Sequence, residues 1–403
     1  MKIKDIEVNS TQIGVLLIVW FAFLLSFVDR LAWPPVIPLA SKALDLSAKQ
    51  AGSYMTVFYA GYILTQIPGG LLTDRFGYRK VLLSSFLIMG LFTGLVGLTI
   101  TYEQGLAFRL LAGFGSGAVM AASVRAIFEW FPPKGRGTAM GIFMTSTSLG
   151  LAVVNLTVPV LAQQYNWQAA FFVMGGITMA GFILGYFFLP ERKKEPASQA
   201  AATSETELST IQTLAVLIKN KNLMIFGIAG FCAMWGTWGV ATWANSYLVK
   251  GLKLSLVQAG SIMSVYGLVA LLAKPIAGVL ADYFEGKIKY LFFWMMIFFG
   301  PALILFGMNT NVSMLYVLMP LVGITAFIYS PLLYIIVGEL VPKNMIGTAS
   351  GLSNAIWQLG SLISPLVFGA VLDATNSYFY GFVSLAVGPI IGAFLVLLLK
   401  IKK

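Results

Sequence analysis

The 403-residue chain has no histidine, a single cysteine (Cys232), and only 10% charged residues. Without histidine there can be no His-based metal site, no Ser-His-Asp nucleophile and no imidazole proton relay. One cysteine excludes an intrachain disulfide and leaves the redox compartment unread. A soluble domain carries about 25% charged residues, so the deficit excludes an ordinary water-facing surface. Apolar residues take the place of charge: 58% of the chain is hydrophobic, and its mean hydropathy is +0.86. The apolar runs recur to the C-terminus, and no small-residue cleavage site follows the first one. The opening run therefore reads as a span rather than a secretory leader.

A span needs about 20 apolar residues at 1.5 Å rise each. The runs place spans near 13–38, 48–72, 80–101, 105–128, 136–161, 168–190, 223–249, 256–282, 288–308, 312–337, 346–372 and 378–400. The expected fold is an all-α polytopic membrane protein with twelve transmembrane helices in two six-helix bundles, 1–190 and 223–403. Between them, 191–222 is charged and then Ala/Ser/Thr-rich, the composition of a linker, with a surface helix expected at 208–218.

The formal charge of +11 follows this topology and does not call for a nucleic-acid partner. With both termini cytoplasmic, eighteen of the 26 Lys and Arg fall in cytoplasmic segments and four (Lys42, Lys49, Lys250, Lys253) on the opposite side. That asymmetry is the positive-inside pattern and predicts a multi-pass protein of the cytoplasmic (inner) membrane, in contact with lipid. Four cations remain within or at the edges of spans: Arg30, Arg109, Arg125 and Lys274.

The two halves repeat each other at an offset of about 208 to 210 residues. GGLLTDRF (69–76) answers AGVLADYF (277–284), matching Asp74 with Asp282. EWFPPKGRGTAMGI (129–142) answers ELVPKNMIGTASGL (339–352), matching Glu129 with Glu339, and Gly113 falls on Gly323. Such duplication, with a site at the midplane between repeats, is the general plan of secondary transporters.

The stretch Gly70-Leu-Leu-Thr-Asp74-Arg75-Phe-Gly77-Tyr-Arg79-Lys80 closely resembles the signature of the major facilitator superfamily. Arg109-xxx-Gly113-xxx-Gly117 and Trp-Phe-Pro-Pro-Lys-Gly-Arg-Gly (130–137) are similar to two further motifs of that family. The second-half copy of the first motif is degenerate, with Glu285 and Gly286 where the family often has Gly and a base. Asp74, Arg75 and Arg79, with Asp282 and Glu339, read as latches between the cytoplasmic faces of the halves. The bland alternative is positive-inside topology alone.

Asp29 and Arg30 lie within the first apolar run, LLIVWFAFLLSFVDRLAWPPVIP. A charge at that depth costs about 2.5–3.5 kcal/mol on insertion scales and marks a functional site by default. Neighbours on a helix project about 100° apart, so one can face a cavity while the other faces an adjoining helix. Arg offers a planar fork for a carboxylate or phosphate, and Asp can carry a proton. The alternative is a structural ion pair. Phe27-Val28-Asp29-Arg30 resembles the Y-x-D-R motif of the anion:cation symporter branch. That resemblance implies proton-coupled transport of organic anions such as sugar acids, with the Arg on substrate and the Asp on the proton. The branch usually carries a carboxylate where this chain has Ser116, so Asp29 acts alone or Glu129 substitutes.

Lys274 lies about 12 Å of helix before Asp282 and is matched in the first half by Gln66. It reads either as a snorkelling base or as a substrate contact, and Arg109 either lines the cavity or serves structure. Arg125 has an i,i+4 partner in Glu129. Trp235, Trp238 and Trp243 of the seventh span suit either lipid contact or a cavity wall for a sugar face. Tyr329, Asn354 and Gln358 are polar groups at membrane depth, the last two on one helix face with Ser361.

The expected function is symport of a small organic anion with protons by a monomer. Arg30, Lys274, Arg109, Trp238, Tyr329, Asn354 and Gln358 would contact substrate, and Asp29 and Glu129 would handle the proton. No cofactor or metal is expected. Drug efflux is the rival, disfavoured by four intramembrane bases and by a fifth span reading SLGLAVVNLTVP. Exchange of an organophosphate or a dicarboxylate anion is another. A flux-free sensor would carry an added soluble domain, and an embedded enzyme lacks a nucleophile-base pair.

Overall fold

The computed structural model describes residues 2–3, 6–7, 9–191, 210–284, 287–342 and 345–400. Most of the expected linker, with Glu285, Gly286 and Lys343, lies outside the described residues.

The chain is nearly all helical. A short antiparallel pair, β1 (Lys2–Ile3) with β2 (Ile6–Glu7), precedes the first span. The first half is α1 (Ser10–Leu31), α2 (Trp33–Ala43), α3 (Ala48–Phe76), α4 (Tyr78–Val96), α5 (Tyr102–Gly117), α6 (Val119–Trp130), α7 (Pro133–Gln164) and α8 (Trp167–Phe188). A short helix, α9 (Thr210–Lys219), leads into the second half. That half is α10 (Lys221–Ser246) with a π turn at Tyr247–Gly251, α11 (Leu256–Tyr283), α12 (Ile288–Met308), α13 (Val312–Phe327), α14 (Ser330–Leu340), α15 (Ile346–Thr375) and α16 (Tyr378–Leu397).

Taking α1–α2, α5–α6 and α13–α14 as single spans, eleven described helices are long and apolar enough to cross a bilayer. The twelfth, α3, has 29 residues, about 43 Å of helix. Its tyrosines, Thr56, Thr65 and Gln66 lower its hydropathy because it faces protein on several sides. The expected twelve spans are thus present, but three of them are broken. Pro34 has no N–H to return to the Arg30 carbonyl, and α1 gives way to α2 at Ala32. Pro331 likewise frees the Phe327 carbonyl, which takes the Ser330 hydroxyl at 2.8 Å instead. The breaks at Ala118 and Ile328 stand at the offset of the sequence repeat.

The duplication also governs how the halves meet. On α3, Gly52 is pressed against the Pro365 carbonyl of α15, and its repeat counterpart Gly260 on α11 is pressed against the Asn155 carbonyl of α7. Asn155 and Pro365 are themselves repeat-related, so α3·α15 and α11·α7 form one contact drawn twice. Asn245 donates to Asn155 Oδ1 at 2.8 Å, and the Thr56 hydroxyl to the Leu362 carbonyl at 2.8 Å. The backbone N–H groups of Ala48 and Lys49 donate to the two Asp373 carboxylate oxygens, 2.8 Å each. A carboxylate there satisfies first-turn donors and the positive end of the helix dipole.

All these contacts lie towards the base-poor end. Towards the base-rich end of the same four helices, Gly70, Gly137, Gly141, Gly278, Gly347 and Gly351 have open space where a Cβ would stand. The halves are therefore closed at the base-poor end and parted at the base-rich end.

A side chain at position 260 cannot coexist with that closure. In a Cys232→Ser background, Gly260→Val should lengthen the distance between spin labels at positions 45 and 375, measured by pulsed electron resonance. An unchanged distance would mean that α11·α7 packing does not hold this end shut.

Candidate functional site: a buried guanidinium among aromatic rings

The site begins with the kink. Arg109 Nη2 donates to the freed Arg30 carbonyl at 2.8 Å and Nη1 to the Asp29 carbonyl at 2.9 Å. Nε reaches the Tyr54 carbonyl at 3.4 Å, the Met55 sulfur lies 3.2 Å from Nη2, and the Phe58 ring lies 4.5 Å below the guanidinium. The side chain is fully buried. It reaches this position because Gly105, Arg109, Gly113 and Gly117, four apart, share one face of α5. The three glycines let the α3 backbone and side chains approach where a Cβ would collide with Tyr54, the Phe58 carbonyl and Thr65. The expectation that Arg109 lines the cavity is therefore corrected: its donors are spent on main-chain carbonyls of α1 and α3 and on the Met55 sulfur.

So held, α1 sends its two charges in different directions. Asp29 is fully buried, and the Thr178 hydroxyl of α8 donates to its Oδ2 at 2.9 Å. Its Oδ1 has no hydrogen-bond partner. Arg30 turns instead to α3, with its guanidinium 4.1 Å from the Tyr62 ring centroid, 4.6 Å from Phe27 and 5.5 Å from Tyr59. It is 1% exposed, Nε and Nη2 make no hydrogen bond within 3.5 Å, and the Tyr59 hydroxyl stands close enough to interact with the guanidinium. No ion pair joins Asp29 to Arg30 among the described residues, which removes the structural-pair reading. Rings solvate a cation partially, by about 0.5–2 kcal/mol each, but they cannot accept its in-plane N–H bonds. Buried donors of a charged group call for an acceptor.

The second half closes over this group. Trp238 is buried with its ring 6.0 Å from Phe27 and 6.2 Å from Tyr59, so the rings around Arg30 belong to both halves. Tyr329 is committed elsewhere, its hydroxyl 2.7 Å from that of Thr237. Gln358 accepts from Ser361 at 3.0 Å. Asn354 donates to Gln66 across the halves at 3.4 Å. Lys274, the repeat counterpart of Gln66, also crosses the halves, donating to the hydroxyls of Thr147 at 2.8 Å and Ser148 at 3.1 Å. Ser116, where a second carboxylate was to be looked for, shares a 2.6 Å hydrogen bond with Ser26.

The base-rich end holds a separate cluster. Arg125 pairs with Glu129 one turn on and with Asp74 at 3.4 Å. These residues line a surface cleft of about 530 Å³ that does not include Arg30. Glu129 stands about 20 Å of helix from Ser116 and takes part in this pair instead of facing the buried site. Arg75 lies over Phe76. Arg79 donates to the carbonyls of Leu189 and Tyr186, tying α4 to the end of α8 within one half. Asp282 and Glu339 are exposed at the ends of α11 and α14.

Sequence reasoning had not singled out Tyr59, Tyr62, Thr178, Thr147, Ser148 or Asp373. Hydropathy does not report which way a polar or aromatic side chain faces in a bundle.

A duplicated twelve-span bundle, closed at one end over a buried charge between its halves, defines a membrane carrier. This chain belongs to the Major Facilitator Superfamily, whose family model matches residues 19–365; it is a transport protein and not an enzyme. It is 25% identical to the hexuronate transporter of Bacillus subtilis (strain 168) over 92% of this chain and 90% of that protein. It is 26% identical to the probable galactarate/D-glucarate transporter GarP of Escherichia coli (strain K12), over 91% and 90%. It is 28% identical to the cis,cis-muconate transport protein of Acinetobacter baylyi (strain ATCC 33305 / BD413 / ADP1), over 90% and 89%. A bacterial homolog of the human lysosomal transporter Spinster, in an inward-facing and unoccupied conformation, shares the fold with a TM-score of 0.85 at 16% identity, over 97% of each chain.

The Arg109 clamp has a measurable consequence. Arg109→Lys keeps the charge but cannot span two carbonyls, and lost bonds to a charged donor cost about 1.5–3 kcal/mol each. The purified variant should melt several degrees below the parent protein. An unchanged melting temperature would show that the kink needs no clamp.

Proposed function

We propose that this chain is a secondary active carrier that brings a small organic anion, a carboxylate of the sugar-acid kind, across the cytoplasmic membrane together with protons. The observation that carries this reading is Arg30, buried among Phe27, Tyr59, Tyr62 and Trp238 with its Nε and Nη2 donors unpartnered. A planar carboxylate accepts two parallel bonds from such a fork, and the surrounding rings suit the C–H faces of a sugar acid. The names of the related hexuronate, galactarate/D-glucarate and muconate carriers support the same class. Arg109 is then a positioning residue, and Lys274 adds positive potential.

Asp29 is the proton site of this reading. It is the one buried carboxyl among the described residues, and one of its oxygens is bare. Because it shares a turn with Arg30, an anion that neutralises the guanidinium lowers the positive potential at Asp29 and favours its protonation. Glu129 is already engaged with Arg125. The positive-inside rule makes the base-rich end cytoplasmic, with both termini there, so the parted end faces inward. Asp74, Arg125 and Glu129 would then work as part of the cytoplasmic latch when the halves rock back. One chain carries both halves of the site, so a monomer suffices.

Two variants separate the roles. Arg30→Ala should abolish the thermal stabilisation that sugar acids give the purified protein, a shift that reports binding to the native state. Retained stabilisation would remove Arg30 as the anchor. Asp29→Asn in proteoliposomes should still exchange internal for external anion but fail to accumulate it under an imposed proton gradient. Gradient-driven uptake at the parent rate would rule out Asp29 as the proton carrier, whereas loss of both modes would point to a structural role.

A further inference from the structure

Asp29 faces a seam between α1, α4 and α8 that glycine holds tight. Gly175 of α8 lies against Gly90 and Gly94 of α4, where a Cβ would stand 2.5 Å from the Gly94 nitrogen. Gly181 of α8 is in contact with Leu25, one turn before Asp29. This close approach brings one hydroxyl from each outer helix to the carboxyl. Thr178 donates to Oδ2 at 2.9 Å, and Thr93 stands close enough to interact. All three residues are 0% exposed. Asp29 Oδ1 and Thr93 Oγ1 have no other partner among the described residues.

A carboxyl kept from water tends to hold its proton, and a proton that is never released couples nothing. Asp29 therefore needs groups that favour its ionised form, and few are at hand. Arg109 of α5 faces it but bonds its main-chain carbonyl, and Arg30 shares its turn of α1. Neither forms an ion pair with it among the described residues. Within two turns of Thr93 and Thr178, α4 and α8 carry no titratable side chain, and α7 has none between Arg136 and Gln164. That leaves the two hydroxyls as the side-chain donors to the carboxylate. A hydroxyl can donate to the ionised form or accept from the acid. The bond to an ionised acceptor is about twice as strong as one between neutral groups, so each threonine favours release.

We propose that Thr178 and Thr93 are positioning residues for proton coupling, whose hydroxyls hold the ionised carboxylate of Asp29 and so let a buried acid give up its proton. This rests on the reading of Asp29 as the proton carrier and deepens it. All three residues belong to the first half, on α1, α4 and α8. Their contacts therefore need not break when the halves rock, and the tuning of the proton site travels with one rigid half. The glycines at 90, 94 and 175 then have a purpose beyond packing, since a side chain at any of them would push α4 and α8 apart.

Infrared difference spectroscopy reads protonated carboxyls directly, and the band that Asp29→Asn removes from the purified full-length protein belongs to Asp29. The midpoint of that band in a pH titration should rise by at least about half a unit, a factor of about three in proton affinity, in Thr178→Val and in Thr93→Val. Valine keeps the shape and removes the hydroxyl. Thr178→Ser and Thr93→Ser should bring the midpoint back to that of the parent protein. In proteoliposomes Thr178→Val should keep anion exchange, which needs no net proton release, and lose about threefold or more of gradient-driven uptake. An unchanged or lowered midpoint in the valine variants overturns the proposal, and so does a shift that serine fails to reverse. The two threonines lie on separate helices, so a variant that does not fold leaves the other to decide. If the parent protein shows no such band, or one that does not titrate, Asp29 exchanges no proton and the carrier reading fails as well. A titrating Asp29 that ignores both hydroxyls sinks the present proposal alone.

Discussion

The placement of the two charges in the first span depends on a third residue, Arg109. Pro34 and Pro35 bend that span and strip helical donors from carbonyls at membrane depth, where water cannot replace them. One guanidinium supplies bonds to two adjacent carbonyls, those of Asp29 and Arg30, and so fixes the rotation of the turn that carries both side chains. With the turn fixed, Asp29 meets α8 and Arg30 meets α3. The cost of burying Arg109 is offset by three carbonyl contacts, a sulfur and a ring. The glycine stripe on α5 is what lets the side chain arrive there.

A second constraint comes from duplication. The halves use the same pair of contacts twice, Gly52 on Pro365 and Gly260 on Asn155, so closure at the base-poor end is close to symmetric. The charges break that symmetry. The Phe27 and Tyr59 rings beside Arg30 meet Trp238 of the other half, and Gln66 is answered by Lys274. Asp373 adds a further one-sided feature, capping α3 through two backbone N–H groups. A symmetric frame lets the halves rock about their contact, while asymmetric charges give the site a polarity to match against a ligand.

The number of spans, the duplication and the unusual charges in the first span were all legible in the sequence, because hydropathy, self-similarity and the cost of buried charge are properties of composition and order. The direction of each side chain was not. Arg109 reads equally well as a cavity residue until the freed carbonyls of α1 are placed beside it. The breaks at Ala32 and Ile328 could have been anticipated from Pro34 and Pro331, since each proline removes a known donor. Asp373 offered a weaker signal, an acid at a span end on the base-poor side. Tyr59 and Tyr62 carried none: on a helix touching several neighbours, an aromatic facing Arg30 looks the same in sequence as one facing lipid.

Uncompensated charge also bears on how such a carrier avoids leaking. Arg30 is 1% exposed with only rings beside its guanidinium, and holding an uncompensated charge so dry costs several kcal/mol. On the proposed reading, an anion beside Arg30 removes most of that penalty, and a proton on Asp29 neutralises the other buried charge. The free energy of a conformation that keeps Arg30 dry, as this one does, therefore depends on loading. A ligand shifts a conformational equilibrium only by its differential affinity for the two states. On that reading the differential is supplied by desolvation of the Arg30 charge beneath rings drawn from both halves. A conformation that exposes Arg30 to water would then suit the empty site and one that buries it the loaded site, which would couple movement of the halves to cargo without a separate sensing element.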